Sequence, residues 1–272
     1  MKFIHLIILS TCFLCFGCTA YEISYPQLNP IEAKVICSLD TDYKIEKAVY
    51  SQNSNTIFVM EQNKIHLYKD KQKINSIGRL GFSKANFNKL ADICLASDGN
   101  LLALDSFRKT IYKYDESGSL ISELKIDMIG DPTMLSMATD EKLFIYDNAA
   151  KEVIILDPTQ QTDIFSFGKF TFKEPTHLSI YKNFIYVYDQ MSDKTYIFNS
   201  FGQQTDEFPG FRFFNQFQNY ILKKFYFIHA NSSKKFHITA NEIQNCFVSE
   251  TNIIIIHNHK LAVIEMKYER KQ

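Results

Sequence analysis

The sequence predicts a fold made of β-strands alone and repeated around a ring, and three observations support this prediction. Three strand-like stretches superimpose at one constant offset along the chain, namely Leu101–Asp105, Leu143–Asp147 and Ile185–Asp189. Each is followed by a short polar turn and a second run rich in Ile, Val, Tyr and Phe, and no window has the helical apolar period. A unit of roughly 40–45 residues with several short strands is typical of a β-propeller, whose blades bury their faces only against one another.

The repeat extends in both directions and predicts six blades. The innermost strands are predicted at Glu46–Ser51, Ala91–Ala96, Thr133–Ala138, Thr176–Tyr181, Gln218–Leu222 and Cys246–Ser249. The second strands are Ile57–Glu61, the three stretches above, Phe225–His229 and Ile253–His257. The third strands are Lys64–Tyr68, Thr110–Tyr114, Glu152–Leu156, Thr195–Phe198, Lys235–Ile238 and Lys260–Ile264. The outermost strands are Ile74–Ile77, Ile121–Ile126, Asp163–Phe167, Gln204–Phe208 and Asn241–Ile243.

The sixth blade lacks an outermost strand at the C-terminal end, because the residues after Met266 are few and charged. An unused strand, Ala33–Leu39, lies near the other end of the chain. An open blade edge would expose unpaired backbone groups, so we expect this strand to complete the last blade and close the ring.

One unit, residues 78–122, resembles an NHL repeat. It carries Ile77-Gly-Arg-Leu-Gly-Phe, then Ala91-Asp-Ile-Cys-Leu-Ala-Ser-Asp-Gly, then Lys113-Tyr-Asp-Glu-Ser-Gly118. The resemblance implies a six-bladed propeller of the kind found in many secreted bacterial proteins, although the usual Pro before the inner strand is missing and Gly is scarce. That family includes enzymes, scaffolds and ligand binders, so the resemblance implies little about function.

The N-terminus has the features of a targeting segment. Lys2 precedes an uncharged apolar run, Phe3–Phe16, that is too short to span a bilayer comfortably. The run ends at Leu14-Cys-Phe-Gly-Cys18, which resembles a bacterial lipoprotein signal with Cys18 as the lipidated residue; cleavage after Ala20 by plain secretion is the alternative. We therefore expect a signal peptide at 1–17, a tether at 18–32 and a propeller at 33–268, anchored outside the cytoplasm. Thr19 favours the outer membrane where the host has two membranes.

Composition narrows the function classes. Lys plus Arg and Asp plus Glu both number 30, so no global charge favours nucleic acid. The absence of Trp argues against propeller quinoprotein dehydrogenases, which carry Trp-based docking motifs between blades. Three thiols follow the targeting segment, Cys37, Cys94 and Cys246, and we expect buried free thiols and no redox site.

The second strands end in residues that form the candidate rim, one from each blade. These are Glu61, Asp105, Asp147, Asp189, His229 and His257. Pseudosymmetry predicts that they lie towards one face, where they could bind a cation, a sugar or a peptide. The alternative, which their repetition favours, is that each acid accepts hydrogen bonds from its own turn and pairs with a Lys three to five residues later.

Other features point to no specific chemistry. His229 and His257 are poor metal candidates, since equivalent positions on neighbouring blades are too far apart to share one ion, and we expect no metal and no cofactor. The aromatic stretch 208–220 is interpreted as a connection that plugs the gap between blades, with a recognition loop as the alternative.

These observations favour a membrane-anchored binding module for a protein or glycan partner over an enzyme. The alternative is a metal-dependent hydrolase or lyase on the same fold.

Overall fold

The prediction of an all-β propeller with six blades is confirmed. A computed structural model of the chain describes residues 28–79, 81, 86–159, 162–181, 184–215, 218–223, 226–237, 243–249 and 251–270. These residues form six antiparallel sheets of four strands each. No helix occurs among them, so none of the described segments is a helix able to cross a membrane.

The strands follow the predicted order closely in the first four blades. Strand β1 (Leu28–Asp40) precedes them and belongs to the last blade. Blade 1 comprises β2 (Lys47–Ser51), β3 (Thr56–Glu61), β4 (Lys64–Lys69) and β5 (Gln72–Ile77). Blade 2 comprises β6 (Leu90–Leu95), β7 (Leu101–Asp105), β8 (Thr110–Tyr114) and β9 (Leu120–Lys125). Blade 3 comprises β10 (Pro132–Met137), β11 (Leu143–Asp147), β12 (Glu152–Asp157) and β13 (Thr162–Phe167). Blade 4 comprises β14 (Pro175–Tyr181), β15 (Phe184–Asp189), β16 (Lys194–Asn199) and β17 (Gln204–Pro209).

The last two blades are arranged in the same way. Blade 5 comprises β18 (Arg212–Asn215), β19 (Gln218–Leu222), β20 (Tyr226–His229) and β21 (Lys235–His237). Blade 6 comprises β22 (Asn245–Ser249), β23 (Asn252–His257) and β24 (Lys260–Arg270), with β1 as its outermost strand.

Burial within a blade follows from its position in the ring. Every residue of β7 and β11 is buried, because the sheet has a neighbouring blade on each face. Strands covered on both faces read as continuous apolar runs, which explains why the second strands gave the clearest repeat. The outermost strand β9 is largely exposed, which explains its weaker pattern.

The ring closes as predicted, but over a longer pairing. β1 pairs with β24 from Leu28↔Arg270 to Asp40↔Lys260. The propeller therefore extends beyond the expected range of 33–268 at both ends. The last residues of the expected tether, 28–32, belong to β1. The sequence after Met266 is charged because alternate residues face solvent: Lys267 pairs with Glu32 of β1 at 2.6 Å, while Met266 is buried.

Blade 5 differs from the prediction. The segment expected to connect blades at 208–220 contains the innermost strand β18, so Gln218–Leu222 is the second strand and not the first. His229 consequently ends the third strand of its blade. The misassignment arose because only two residues separate β17 from β18, which is far shorter than the other connections between blades.

The two faces of the ring are built from different connections. We call upper face the side with the loops between second and third strands, such as 106–109, 148–151 and 190–193, and with the connections between blades, such as 126–131 and 168–174. The lower face carries the other turns and the start of β1 at Leu28, because strands alternate in direction within each sheet.

The hydrophobic core is divided among the spaces between blades. The described residues form five apolar clusters, which lie between blades 1 and 2, 2 and 3, 3 and 4, 5 and 6, and 6 and 1. The cluster between blades 6 and 1 contains Leu39 of β1, so the N-terminal strand contributes to the core as well as to the sheet.

We predict that the closing strand stabilises the whole ring through Leu39. Leu39→Ala is expected to lower the free energy of unfolding by about 2–4 kcal/mol, because it leaves a cavity between blades 6 and 1. Val35→Ala in the same strand removes an exposed side chain and is expected to cost less than about 1 kcal/mol. Urea unfolding followed by circular dichroism measures both, and equal losses would contradict this role of β1.

Candidate functional site

Asp105 at the end of β7 holds two upper-face segments together. Its Oδ2 accepts a hydrogen bond from the N–H of Asn88 at 2.8 Å, in the connection entering blade 2. Its Oδ1 accepts from the N–H of Lys89 at 3.3 Å and from that of Arg108 at 3.0 Å, in the loop after β7. Asp105 is fully buried, so its carboxylate is satisfied mainly by backbone groups.

Asp147 repeats this arrangement in blade 3. It accepts from the N–H groups of Gly130 at 2.9 Å, Asp131 at 2.8 Å and Ala149 at 2.9 Å. Burial by itself would raise the pKa of Asp147, but these hydrogen bonds outweigh it and hold the pKa below its usual range.

Asp189 does the same in blade 4. It accepts from the N–H groups of Lys173 at 2.5 Å, Glu174 at 2.8 Å and Ser192 at 2.9 Å. Burial opposes the effect, yet the hydrogen bonds again lower the pKa of the carboxyl. We call Asp105, Asp147 and Asp189 the aspartate clamps, since each fixes a loop of its own blade and the connection from the preceding blade.

The other three candidate rim residues behave differently. Glu61 Oε2 lies 2.6 Å from Nε2 of the buried His66, and His257 is half-buried at the end of β23. His229 is buried on the lower face, where its Nδ1 lies 2.7 Å from the hydroxyl of Ser232. The expectation of six equivalent residues on one face is therefore wrong for His229, because it ends a third strand.

The lysines that follow the clamps do not pair with them. Lys151 donates to Asn148 Oδ1 at 2.7 Å, and Lys194 donates to Glu207 Oε1 at 2.5 Å. Beside Asp105 the nearest charged nitrogen is Nε of Arg108, at 3.9 Å. The fourth residue of each loop lies in the left-handed region, with φ of 49° at Lys109, 59° at Lys151 and 49° at Asp193.

Four large apolar side chains emerge from the loops that the clamps hold. Phe107 is 69% exposed, Met128 51%, Phe170 92% and Met191 69%. All four lie on the upper face of blades 2, 3 and 4, with the exposed Ala149 on the loop between β11 and β12. We call these four residues the upper-face patch. The other large apolar residues that are exposed in the described ranges lie on outermost strands or at the lower face.

The axis of the ring holds a group of polar side chains from the innermost strands. Lys47 of β2 donates to Asp92 Oδ1 of β6 at 2.6 Å, and Asp92 Oδ2 accepts from the N–H of Leu135 in β10 at 2.8 Å. Asp92 Oδ1 also accepts from the N–H of Ile93. Asp92 therefore joins the innermost strands of blades 1, 2 and 3, and both of its oxygens are engaged.

His177 makes the corresponding link on the other side of the axis. Its Nε2 donates to Asn245 Oδ1 at 2.8 Å, which joins blades 4 and 6. The imidazole packs against Phe211 and Phe247, with ring centroids 4.5 and 5.4 Å away. Burial lowers the pKa of His177 to about 4, so the ring is neutral at pH 7.

The remaining candidates are a polar recess, whose lining includes Lys44 and Glu46, and the described thiols. A polar recess of about 400 Å³ between blades 6 and 1 is lined partly by Gln244 and Asn258, which are hydrogen-bonded to each other at 2.8 Å. Within the described ranges no three His, Cys, Asp or Glu side chains are placed to hold a metal ion. The described thiols are free, with Cys94 and Cys246 buried and Cys37 half-buried, and burial raises the pKa of Cys94 to about 12. Cys18 lies outside the described residues.

Comparisons with known proteins agree on the fold. No family model matches the chain, and no curated protein matches it. Among solved structures it is similar to a catalytically inactive virginiamycin B lyase from Staphylococcus aureus with quinupristin, at a TM-score of 0.55 and 12% identity over 81% of this chain and 80% of that one. A streptogramin B lyase gives 0.56 and 12% over 83% and 80%. The Pan2 WD40 domain of Neurospora crassa gives 0.53 and 14% over 84% and 76%. Identities this low establish the propeller fold alone.

Sequence reasoning found the clamps but missed their surroundings. The upper-face patch carries a repeat signal that was missed: Phe107 and Met191 each lie two residues after a clamp, and Met128 and Phe170 occupy the same position of successive connections between blades. The axial residues Lys47, Asp92 and Asn245 were also missed. Their only signal is a polar residue near the start of each predicted innermost strand.

We predict that Asp147→Asn destabilises the protein by about 1–3 kcal/mol near pH 7, because an amide offers one acceptor oxygen to three N–H donors. The native contribution is complete above about pH 4, where Asp is ionised in the unfolded chain, and is lost as the pH falls through the lower folded-state pKa. Urea unfolding at about pH 7 and about pH 3 should therefore show that the difference in free energy of unfolding between the native protein and Asp147→Asn is smaller in acid. Asp127→Asn, on the exposed loop before Met128, is the matched control and should change little. A difference of the same size at both pH values would contradict the clamp.

Proposed function

We propose that this protein is a binding module that presents the upper-face patch to a protein partner and is held at a bacterial membrane by a lipid on Cys18. The observation that carries the proposal is the patch itself. Four large apolar side chains from three consecutive blades stand in solvent on one face, although folding could have buried them. Exposed apolar groups gathered in this way are typical of interaction sites.

The aspartate clamps beneath the patch fix its loops, which favours a role in recognition. Phe107 lies between Asp105 and Arg108, whose N–H donates to that carboxylate, and Met191 lies in the same way between Asp189 and Ser192. The backbone on both sides of these side chains is therefore fixed by a buried acceptor. A partner that binds such loops loses less conformational entropy in ordering them, which increases affinity.

The residue types favour a protein partner. Phe and Met are enriched in the buried centres of protein interfaces, and the unbranched Met side chain adapts to an irregular apolar surface. The polar recess between blades 6 and 1 is the surface that a glycan would prefer, but its amides are already partly paired with each other. We therefore assign the recognition role to the upper-face patch.

Metal-dependent hydrolysis or elimination is the alternative from the sequence, and the four buried aspartates do not favour it. The carboxylates of Asp92, Asp105, Asp147 and Asp189 accept hydrogen bonds from backbone N–H groups. A general base needs a lone pair directed at the substrate, and these oxygens point into the protein frame. The lyases among the similar structures share the fold, and function resides in the site.

The proposed anchor is consistent with an accessible upper face. The ten residues from Cys18 to 27 precede β1, and they can span at most about 35 Å when fully extended. Because β1 begins at Leu28 on the lower face, a lipid on Cys18 brings that side of blade 6 towards the membrane. The patch on blades 2 to 4 then faces away from the bilayer, where a soluble or membrane-bound partner can reach it.

We predict that Phe107→Ser combined with Phe170→Ser strongly weakens partner capture. Baits made from the native chain and from the double variant are exposed to the extracytoplasmic proteins of the host, and captured proteins are compared by quantitative mass spectrometry. The double variant should retain a specific partner at least about tenfold less well, because exposed aromatic anchors of this kind commonly contribute more than about 1 kcal/mol each.

Phe201→Ser is the matched control, since Phe201 is 77% exposed on the lower face of blade 4. It should capture the same partner as the native chain. The melting temperatures of all three proteins should agree, because none of these side chains contributes to the core. Equal capture by the double variant and the native chain would overturn the proposed site.

The anchor is tested separately by mass spectrometry of the mature N-terminus in the native host. We expect an acylated Cys18 as the first residue, and Cys18→Ser should move the protein from the membrane to the soluble fraction. A mature chain that begins with a free Tyr21 would show plain secretion and would leave the upper-face proposal unaffected.

A further inference from the structure

The space between blades 2 and 3 is packed differently from the others. Among the five clusters formed by described residues, only this one contains no aromatic side chain. The cluster between blades 1 and 2 contains Phe87, Tyr112 and Tyr114. The cluster between blades 3 and 4 contains Tyr146, Phe167, Phe172, Tyr196 and Phe198.

A cavity of about 210 Å³ occupies this aromatic-free space. Its walls are apolar and are formed by Ala96, Leu102, Ile111, Leu124, Met137 and Leu143. A dry apolar cavity of roughly 150 Å³ is enough to bind benzene in another protein, so this volume accommodates a ring of similar or slightly larger size. The cavity opens towards the lower face, at the turns that carry Ser97, Glu141 and Pro158.

The strand register shows which side chains fill this place elsewhere. In blade 2 the cavity is bordered by Ser122 and Leu124, which pair with Lys113 and Ile111 of the third strand. The equivalent third-strand residues of blade 3 are Ile155 and Val153, and they pair with Phe165 and Phe167. Ser122 thus stands where blade 3 has Phe165, and Leu124 stands where it has Phe167.

The facing blade repeats the difference. Phe198 of blade 4 packs against Phe167 with ring centroids 4.8 Å apart. Its equivalent one repeat earlier, on the third strand of blade 3, is Leu156, which lies in the cluster between blades 2 and 3. Both sides of this space therefore carry aliphatic or small residues where the neighbouring space carries phenyl rings.

We infer that the cavity between blades 2 and 3 is a binding site for a single aromatic ring supplied from outside the chain. The ring takes the place that Phe165 occupies between blades 3 and 4, and it contacts Leu102, Ile111 and Leu143. This site lies on the lower face and is independent of the upper-face patch.

The mouth of the cavity favours a ring with one polar substituent. Lys113, whose Nζ lies 2.5 Å from Asp98 Oδ2, and the exposed Ser122 line one side. The hydroxyl of Ser97 donates to Glu141 Oε1 at 3.1 Å on the other side. A hydroxyl on the ring can remain at this mouth among polar groups while the ring is buried, which avoids an unsatisfied polar atom inside.

The test is a calorimetric titration of the full chain with 4-methylphenol, which carries one ring and one hydroxyl. We expect one molecule to bind per chain with a Kd on the order of 1 mM or tighter, as suits a ligand of this size. Ser122→Phe recreates the residue of blade 3 and should weaken binding at least about tenfold while raising the melting temperature, because the new ring fills the cavity. Leu124→Phe, which recreates Phe167 at a residue that lines the cavity, is a second filling variant for use if the first fails to fold.

The matched control is Ile121→Phe, which adds a ring at the neighbouring exposed position of the same strand. It should bind 4-methylphenol as the native chain does. No saturable binding to the native chain, or equal binding to the native chain and to a folded filling variant, would overturn the inference.

A second titration distinguishes the two sources of such a ring. An unstructured peptide with one central Tyr is compared with the same peptide carrying Ala and with 4-methylphenol. Tighter binding of the Tyr peptide than of 4-methylphenol assigns the site to a side chain of a partner protein. Equal or weaker binding of the Tyr peptide assigns it to a free aromatic molecule.

Discussion

The structure depends on one repeated interaction, a buried carboxylate that accepts hydrogen bonds from backbone N–H groups of two different segments. A propeller blade has no hydrogen-bonded sheet continuity with its neighbours, so the connection between blades must be fixed in another way. Asp105, Asp147 and Asp189 provide this by binding the incoming connection and the outgoing loop with the same side chain. The carboxylate thereby provides an acceptor for loop N–H groups that have no partner in a strand.

This constraint also determines where recognition can occur. A loop whose backbone is fixed from below can expose an apolar tip without collapsing onto the core, and Phe107, Phe170 and Met191 all emerge from clamped segments. The aspartate clamps, which are three of the candidate rim residues, thus hold the loops of the surface that we propose binds a partner. Their own carboxylate oxygens are engaged in these hydrogen bonds. At the axis, Asp92 and the His177–Asn245 pair play a comparable part by joining innermost strands of different blades.

The six blades share one backbone arrangement, but the spaces between them are packed with different kinds of side chains. Aromatic rings contribute to four of the five described clusters between blades, whereas the cluster between blades 2 and 3 contains none. Ser122 and Leu124 stand where the next repeat has Phe165 and Phe167, and both line the cavity. Repeat proteins acquire distinct sites in this way, since one unit can change while its neighbours maintain the ring.

The sequence by itself determined the strand pattern, the number of blades and the closing strand. The alternation of side chains and the constant offset between copies are local properties of the sequence. They can be detected in any copy whose strands and turns have the usual length. They failed in blade 5, where the short strand Arg212–Asn215 follows its predecessor after two residues, and at Leu28–Glu32, which contains Pro30 and was assigned to the tether. Only the tertiary structure decided that His229 lies on the lower face, which polar groups meet at the axis, and which space between blades contains the cavity. The physical reason is that these features depend on distances between residues on different blades, and no local period records how two neighbouring sheets fill the volume between them.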